Sequence, residues 1–134
     1  MRPSLLIIDD DEHVGVILER VLAGYDIALA TSAEEGLARV AERSFDGILC
    51  DLSLPGKSGV DFFTRVAELR PGQERRVRFI TGGATEDDVV HFVDRNPAVV
   101  LQKPFELKRL RSFVAELVSD DSPITATWDA HGAA

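Results

Sequence analysis

The sequence holds a single cysteine, Cys50, so an internal disulfide and a cysteine-built zinc site are both excluded. A reducing compartment suits such a chain. Basic charge is also scarce: 15 Lys and Arg stand against 23 Asp and Glu, a net charge of −8. Nucleic acids and membrane surfaces are polyanions, so this balance argues against a general binder of either. No apolar run approaches the ~18 residues of a membrane span. The apolar stretch behind Arg2 stops at acids after Ile8, too short for a signal peptide. No G-x-G-x-x-G follows that stretch, which removes a dinucleotide-binding enzyme. His13, His91 and His131 are too scattered for a metal site, and no internal repeat is visible. The expectation is an acidic, cytoplasmic domain.

What remains is rich in alternation. The 134 residues are 45% hydrophobic and 28% charged, the balance of one globular domain. Leu5–Ile8 is a continuous apolar run, as in a strand buried on both faces, and it closes on Asp9, Asp10 and Asp11. Val14, Ile17, Leu18, Val21 and Leu22 recur at helical spacing up to Gly24. Tyr25, Ile27 and Leu29 alternate with smaller or polar residues, as in an edge strand. Ser32 and Glu35 form a capping-box pattern ahead of a helix with Leu37, Val40 and Ala41 on its apolar stripe. Residues 47–50 are a second buried strand closed by Asp51. Phe62, Phe63, Val66, Ala67 and Leu69 mark a third helix, stopped by Pro71-Gly72. Residues 77–80 form a strand ending at Thr81, and Val89, Phe92 and Val93 mark a fourth helix. Residues 99–101 form a fifth strand ending at Lys103-Pro104. Leu107, Leu110, Val114 and Leu117 mark the last helix. Strands alternating with helices through short loops predict a parallel sheet covered on both faces. After Ser119 the composition turns to Ser, Thr, Ala and Gly, so the domain is expected over 4–119 with a flexible tail or linker over 120–134.

In open α/β sheets, ligands sit beyond the carboxyl ends of the strands. The first strand delivers Asp9 and Asp10 there, the third Asp51, the fourth Thr81 and the fifth Lys103. The second delivers nothing more distinctive than Thr31. Crowded carboxylates repel, and a divalent cation relieves the repulsion. All-oxygen ligands together with a phosphate suit Mg²⁺. A lysine and a hydroxyl suit phosphoryl oxygens. Asp51 is placed to attack phosphorus and become an acyl phosphate. Asp11 reads as a helix-capping acid. Cys50, Phe62, Phe63, Phe79, Phe92 and Phe113 read as core, and Arg75, Arg76 and Arg78 as a solvated loop.

These motifs in this order resemble the receiver domain of two-component response regulators. The residues that carry the resemblance are Asp9-Asp10, Asp51 followed by Leu54-Pro55 and Gly59, Thr81, and Lys103-Pro104-Phe105. It implies the flavodoxin-like (βα)5 fold, with a five-stranded parallel sheet in the order 2-1-3-4-5. It implies Asp51 as phosphoacceptor, taking its phosphoryl group from a histidine kinase or a histidine phosphotransfer domain. Mg²⁺ would be held by Asp9, Asp10, Asp51 and the backbone carbonyl of Ser53. Thr81 would bond the phosphoryl group, and Lys103 would pair with the carboxylate and then with a phosphoryl oxygen. The Lys103–Pro104 bond would be cis. The Thr81–Ala84 and Pro97–Phe105 runs are similar to receivers attached to hybrid histidine kinases, and a stand-alone receiver fits equally. Output is expected through another protein or domain, with no DNA binding by this chain and no membrane contact.

Two departures from the pattern that the resemblance implies involve three positions. Val100 stands where many receivers carry an aromatic that swings inward on phosphorylation. Ser53 and Gly83 are small, so little shielding of an acyl phosphate is expected. Two competing readings follow. One is a receiver-shaped docking module that works without phosphate, which Val100 keeps open. The other is a haloacid-dehalogenase-type phosphatase. That chemistry needs an acid where Ser53 stands, and a cap insertion that this chain lacks.

Overall fold

The computed structural model describes residues 2–52, 54, 59–82 and 99–119. Five strands run in parallel: β1 (Ser4–Ile8), β2 (Asp26–Ala30), β3 (Gly47–Asp51), β4 (Val77–Thr81) and β5 (Val100–Gln102). Their order across the sheet is β2-β1-β3-β4-β5. Helices α1 (Glu12–Val21), α2 (Ala33–Glu42) and α3 (Gly59–Leu69), a 3₁₀ turn (Gln73–Arg76) and a C-terminal helix (Leu107–Ser119) complete the described elements. This is the flavodoxin-like α/β fold. The fourth helix expected around Val89–Val93 lies outside the described residues, as does His91.

Strand alternation sorts the core into two layers. Leu6, Ile8, Ile48, Cys50, Val77, Phe79 and Val100 pack with Leu37 and Val40 of α2 and Phe62 and Val66 of α3. Leu5, Ile7, Leu49, Ile80 and Leu101 pack on the opposite face with Leu18 of α1 and Leu110, Phe113, Val114 and Leu117 of the C-terminal helix. Each such side chain removed from water contributes roughly 1.5–3 kcal/mol. The α2 helix lies close on β1 because residue 36 is glycine. A Cβ there would stand 2.6 Å from Ile8 Cδ1 and 3.2 Å from Phe62 Cε1. The contact fixes Ile8, the residue immediately before Asp9.

Local signals act as expected at several ends. Asp11 caps α1 by accepting a hydrogen bond from the His13 backbone N–H, and Ser32 caps α2 by accepting one from that of Glu35. The Glu35 carboxylate reaches back one residue further than a capping box requires, to the Thr31 N–H at 2.7 Å. Gly72 takes the left-handed conformation, φ 99°, that turns the chain out of α3.

Three expectations fail. Ile17 does not join the buried stripe but is 56% exposed. Val14, Leu18, Val21 and Leu22 centre that stripe, and Ile17 projects about 85° from its middle at 3.6 residues per turn. Ala41 is exposed for the same kind of reason. Of the arginine cluster read as a solvated loop, only Arg75 is exposed. Arg78 is buried and donates to the carbonyls of Arg75 and Val77, and Arg76 donates to those of Leu117 and Val118 at 3.1 and 3.3 Å. Arg70 similarly donates to the carbonyls of Val40 and Ala41 at the end of α2, and Arg111 to that of Val21 at the end of α1. Unsatisfied carbonyls at helix C-termini attract such cations. Gln73, part of an unforeseen 3₁₀ turn, clamps Phe45 by accepting from its N–H and donating to its C=O, at 2.8 and 3.0 Å.

Candidate phosphoryl site

The expected residues converge at the carboxyl end of the sheet. The β1 ladder continues one step past Ile8, as the Asp9 N–H donates to Ala30 O at 3.0 Å. That step draws Asp9 inside, where it is 6% exposed. Its Oδ1 accepts from the Asp11 N–H at 2.9 Å, which shapes the turn into α1. Its Oδ2 stands 3.7 Å from Lys103 Nζ. Asp10 points outward and is exposed, while Asp51 at the end of β3 is half-buried. Asp9, Asp10 and Asp51 each offer a carboxylate oxygen, and these oxygens all lie within 4.8 Å of one another.

Thr81 ends β4 at the same rim. Its Oγ1 is buried with no hydrogen-bond partner among the described residues. A buried hydroxyl left unsatisfied costs about 1–3 kcal/mol, so one at this rim is a candidate donor to a ligand. The Thr81 carbonyl accepts from the Lys103 N–H at 2.7 Å, tying the end of β5 to β4. The Lys103–Pro104 bond is cis. A Cβ on Gly82 would meet Lys103 Cδ at 3.7 Å, ordinary contact, so that wall of the site is open rather than tight. Ser53 and Gly83 lie outside the described residues.

Cys50 sits in the core layer behind Asp51. Burial pushes its thiol well above the ordinary value of 9.0, and the charges of Asp51 and Asp9 push it the same way. The thiol is therefore neutral at physiological pH and serves as packing. Three carboxylates with the half-buried Lys103 beside them form an all-oxygen donor set. Such a set fits a hard divalent ion such as Mg²⁺, which binds through one or two carboxylates and keeps several waters. Together, the set can hold a divalent ion, neutralise an incoming phosphoryl group with Lys103 and donate to it from Thr81.

A family model described as the response regulator receiver domain matches residues 5–115. The chain belongs to the response regulator receiver family. Among curated relatives, the receiver is 33% identical over 118 residues to the transcriptional regulatory protein MalR of Bacillus subtilis, covering 84% of this chain and 49% of that one. It is 28% identical over 125 residues to the DNA-binding transcriptional regulator NtrC of Azospirillum brasilense, covering 92% and 26%. The chain thus spans less than half the length of these curated relatives. Among solved structures, a CheY-like response regulator receiver domain protein from Methanospirillum hungatei superposes with a TM-score of 0.75 at 27% identity, covering 88% and 94%. The receiver domain of a sensor histidine kinase from Pseudomonas aeruginosa, solved with a magnesium ion in its active-site cleft, shares the fold. Its TM-score is 0.72 at 18% identity, covering 88% and 98%. No helix among the described residues is long and apolar enough to cross a membrane.

One feature of this rim escaped the sequence pattern. On the β2 side of Asp9 lies a pocket of about 310 Å³, lined by Ile7, Asp9, Asp11, Glu12, Gly15 and Leu29 and closed by Ala30, Thr31 and Glu35. The helical period had marked α1 only by its large apolar residues. The signal was Gly15, a buried helical position without a side chain.

Proposed function

We propose that this receiver is a phosphoacceptor in two-component signalling, with Asp51 as the phosphorylated residue. The observation that carries the reading is the buried Thr81 hydroxyl, without a partner among the described residues, at the same rim as three carboxylates and Lys103. In the transfer, an Asp51 carboxylate oxygen forms a bond to phosphorus. The P–N bond of a phosphohistidine on the donor breaks, and its electron pair stays on the imidazole. The donor is a histidine kinase or a histidine phosphotransfer domain. Asp9, Asp10 and Asp51, with the Ser53 carbonyl, would hold Mg²⁺. Bound there, the cation supplies positive charge that lets an anionic phosphoryl group approach an acidic site. Lys103, now paired with Asp9, supplies a further positive charge for a phosphoryl oxygen, and Thr81 donates its hydroxyl hydrogen to another. The magnesium ion of the Pseudomonas aeruginosa receiver supports this assignment by fold.

Phosphorylation adds charge and acceptors at one rim and completes the Thr81 hydroxyl, so the Thr81 loop is the element that it biases. The switch works through loop and helix shifts, because Val100 carries no ring. We place the receiver at 4–119, take 120–134 as a tail or linker, and place the domain in the cytoplasm. Output passes to another protein or domain.

The test is intact mass after incubation with acetyl phosphate, with and without Mg²⁺, on wild type and Asp51→Asn. One phosphoryl adduct is expected, dependent on Mg²⁺ and absent from the variant. Beryllofluoride covers the case of rapid hydrolysis. No adduct and no beryllofluoride response would sink the reading in favour of a phosphate-independent docking module.

A further inference from the structure

The pocket beside Asp9 has an apolar floor and a rim of one charge sign. Ile7 and Ala30 are buried and Leu29 half-buried, while Asp11, Glu12 and Glu35 are exposed. Among the described residues, no lysine or arginine lines it. A bare metal ion suits it poorly. Its inner wall is hydrocarbon, and its single buried acid, Asp9, is engaged by Lys103 and the Asp11 N–H. A volume of about 310 Å³ lies at the low end of the ~300–1,000 Å³ typical of small-molecule sites, enough for one side chain but small for a nucleotide. The complementary occupant is a cation carried on an apolar stem.

We propose that this pocket receives an arginine side chain of the protein that delivers the phosphoryl group. The carboxylates of Asp11, Glu12 and Glu35 stand at separate points of the rim. A planar guanidinium presents five donors in several directions, which suits carboxylates spread around a rim, whereas an ammonium is a point charge. Its methylenes lie along Leu29 and the bare backbone face of Gly15. The Asp11 and Glu35 carboxylates already accept from the N–H groups of His13 and Thr31, so both are held in place before any occupant arrives. The choice of a protein-borne arginine over a free amine rests on the reading of Asp51 above. The pocket shares Asp9 with the acidic trio, so its occupant sits at the rim that a donor protein must face. This also links the two places. An occupant that changes the cation affinity of the trio is itself bound more or less tightly by the same factor when the cation is present.

The test is a ¹H–¹⁵N titration of the full chain with Nα-acetyl-arginine methylamide, with the norleucine analogue and agmatine as controls. The arginine derivative is expected to shift the amides of Gly15, Thr31 and Glu35, and the uncharged norleucine analogue to leave them unmoved. Glu12→Gln should weaken binding about two- to fivefold, the range for one exposed charge pair. Gly15→Leu should abolish it. A Cβ at residue 15 would stand 3.6 Å from Leu29, ordinary contact, so the larger side chain fills the pocket without expelling a neighbour at its root. Unchanged binding by a folded Gly15→Leu protein would overturn the proposal. So would shifts confined to the neighbourhood of Asp10 and Asp51, equal binding of the norleucine analogue, or binding of agmatine alone. Acetyl phosphate labelling of the same samples is read separately. Its failure would refute the phosphoacceptor and leave the pocket result standing.

Discussion

Asp10→Asn should make the metal-free protein more stable and the magnesium-loaded protein relatively less so. The Asp10 carboxylate has two like-charged neighbours, Asp9 and Asp51, with oxygens within 4.8 Å. At that separation, Coulomb repulsion is about 0.9 kcal/mol per pair in water and about 3.5 kcal/mol at the effective dielectric of a protein surface. Asp10 is exposed, so the lower figure governs, and two neighbours give about 1.7 kcal/mol. Lys103 offsets part of it. The expected gain is about 1–2 kcal/mol, or about 3–6 °C in melting temperature for a domain of this size. Urea unfolding followed by circular dichroism, at low ionic strength with a chelator, measures it. Saturating Mg²⁺ should reverse the order. A ligand at 100 times its Kd adds about 2.7 kcal/mol to the protein that binds it, and the variant has lost a carboxylate from the site. A variant no more stable than wild type in chelator would refute the claim that the trio is a strained, ligand-ready cluster. A gain that persists in Mg²⁺ would remove Asp10 from the ligand set.

Three further outcomes follow from the packing. Gly36→Val should destabilise by about 2–3 kcal/mol in urea unfolding, since even a Cβ at residue 36 stands 2.6 Å from Ile8; a neutral result would mean that α2 slides freely on β1. Gln73→Leu keeps the volume but strands the buried N–H and C=O of Phe45, so about 2–4 kcal/mol should be lost, and a loss under about 1 would show that water replaces the clamp. Cys50 should resist iodoacetamide at neutral pH until the protein unfolds. Because its thiol is raised in the folded state, the folded protein holds that proton longer than the unfolded chain. Stability should therefore stay flat below the ordinary thiol value of 9.0 and fall as pH rises through it, an effect that Cys50→Ala removes.

Most of the sheet and of its rim was legible because both depend on local pattern. Continuous apolar runs closed by Asp9, Asp51 and Thr81 name buried parallel strands and the polar residues at their carboxyl ends together. The Asp11 and Ser32 caps are equally local. What escaped depends on tertiary context. Arg76 and Arg78 read as loop charges because their partners are helix carbonyls about 40 residues away in the chain or backbone hidden in the core. Ile17 read as core because periodicity counts apolar residues without fixing the centre of the stripe. The pocket escaped because it is made by an absence, the missing side chain of Gly15, beside an edge strand whose end carries little more than Thr31. Asp9 was found as a ligand candidate. Its second role, shaping the turn into α1 through the Asp11 N–H, follows only from the fold.

The helices are tied differently at their two ends. Toward the carboxyl end of the sheet, α1 and α2 begin with caps drawn from their own flanking residues, Asp11 and Ser32. At the opposite pole, the last carbonyls of α1, α2 and the C-terminal helix are each met by an arginine from a distant element: Arg111, Arg70 and Arg76. A self-capped end keeps its cap bond when distant elements separate, because donor and acceptor lie within a few residues of each other. An end held by a remote arginine frays only when two elements separate, which brings its opening free energy closer to that of global unfolding. The described helix ends thus divide by pole: local caps lie toward the carboxyl end of the sheet, and arginine ties to distant elements lie away from it.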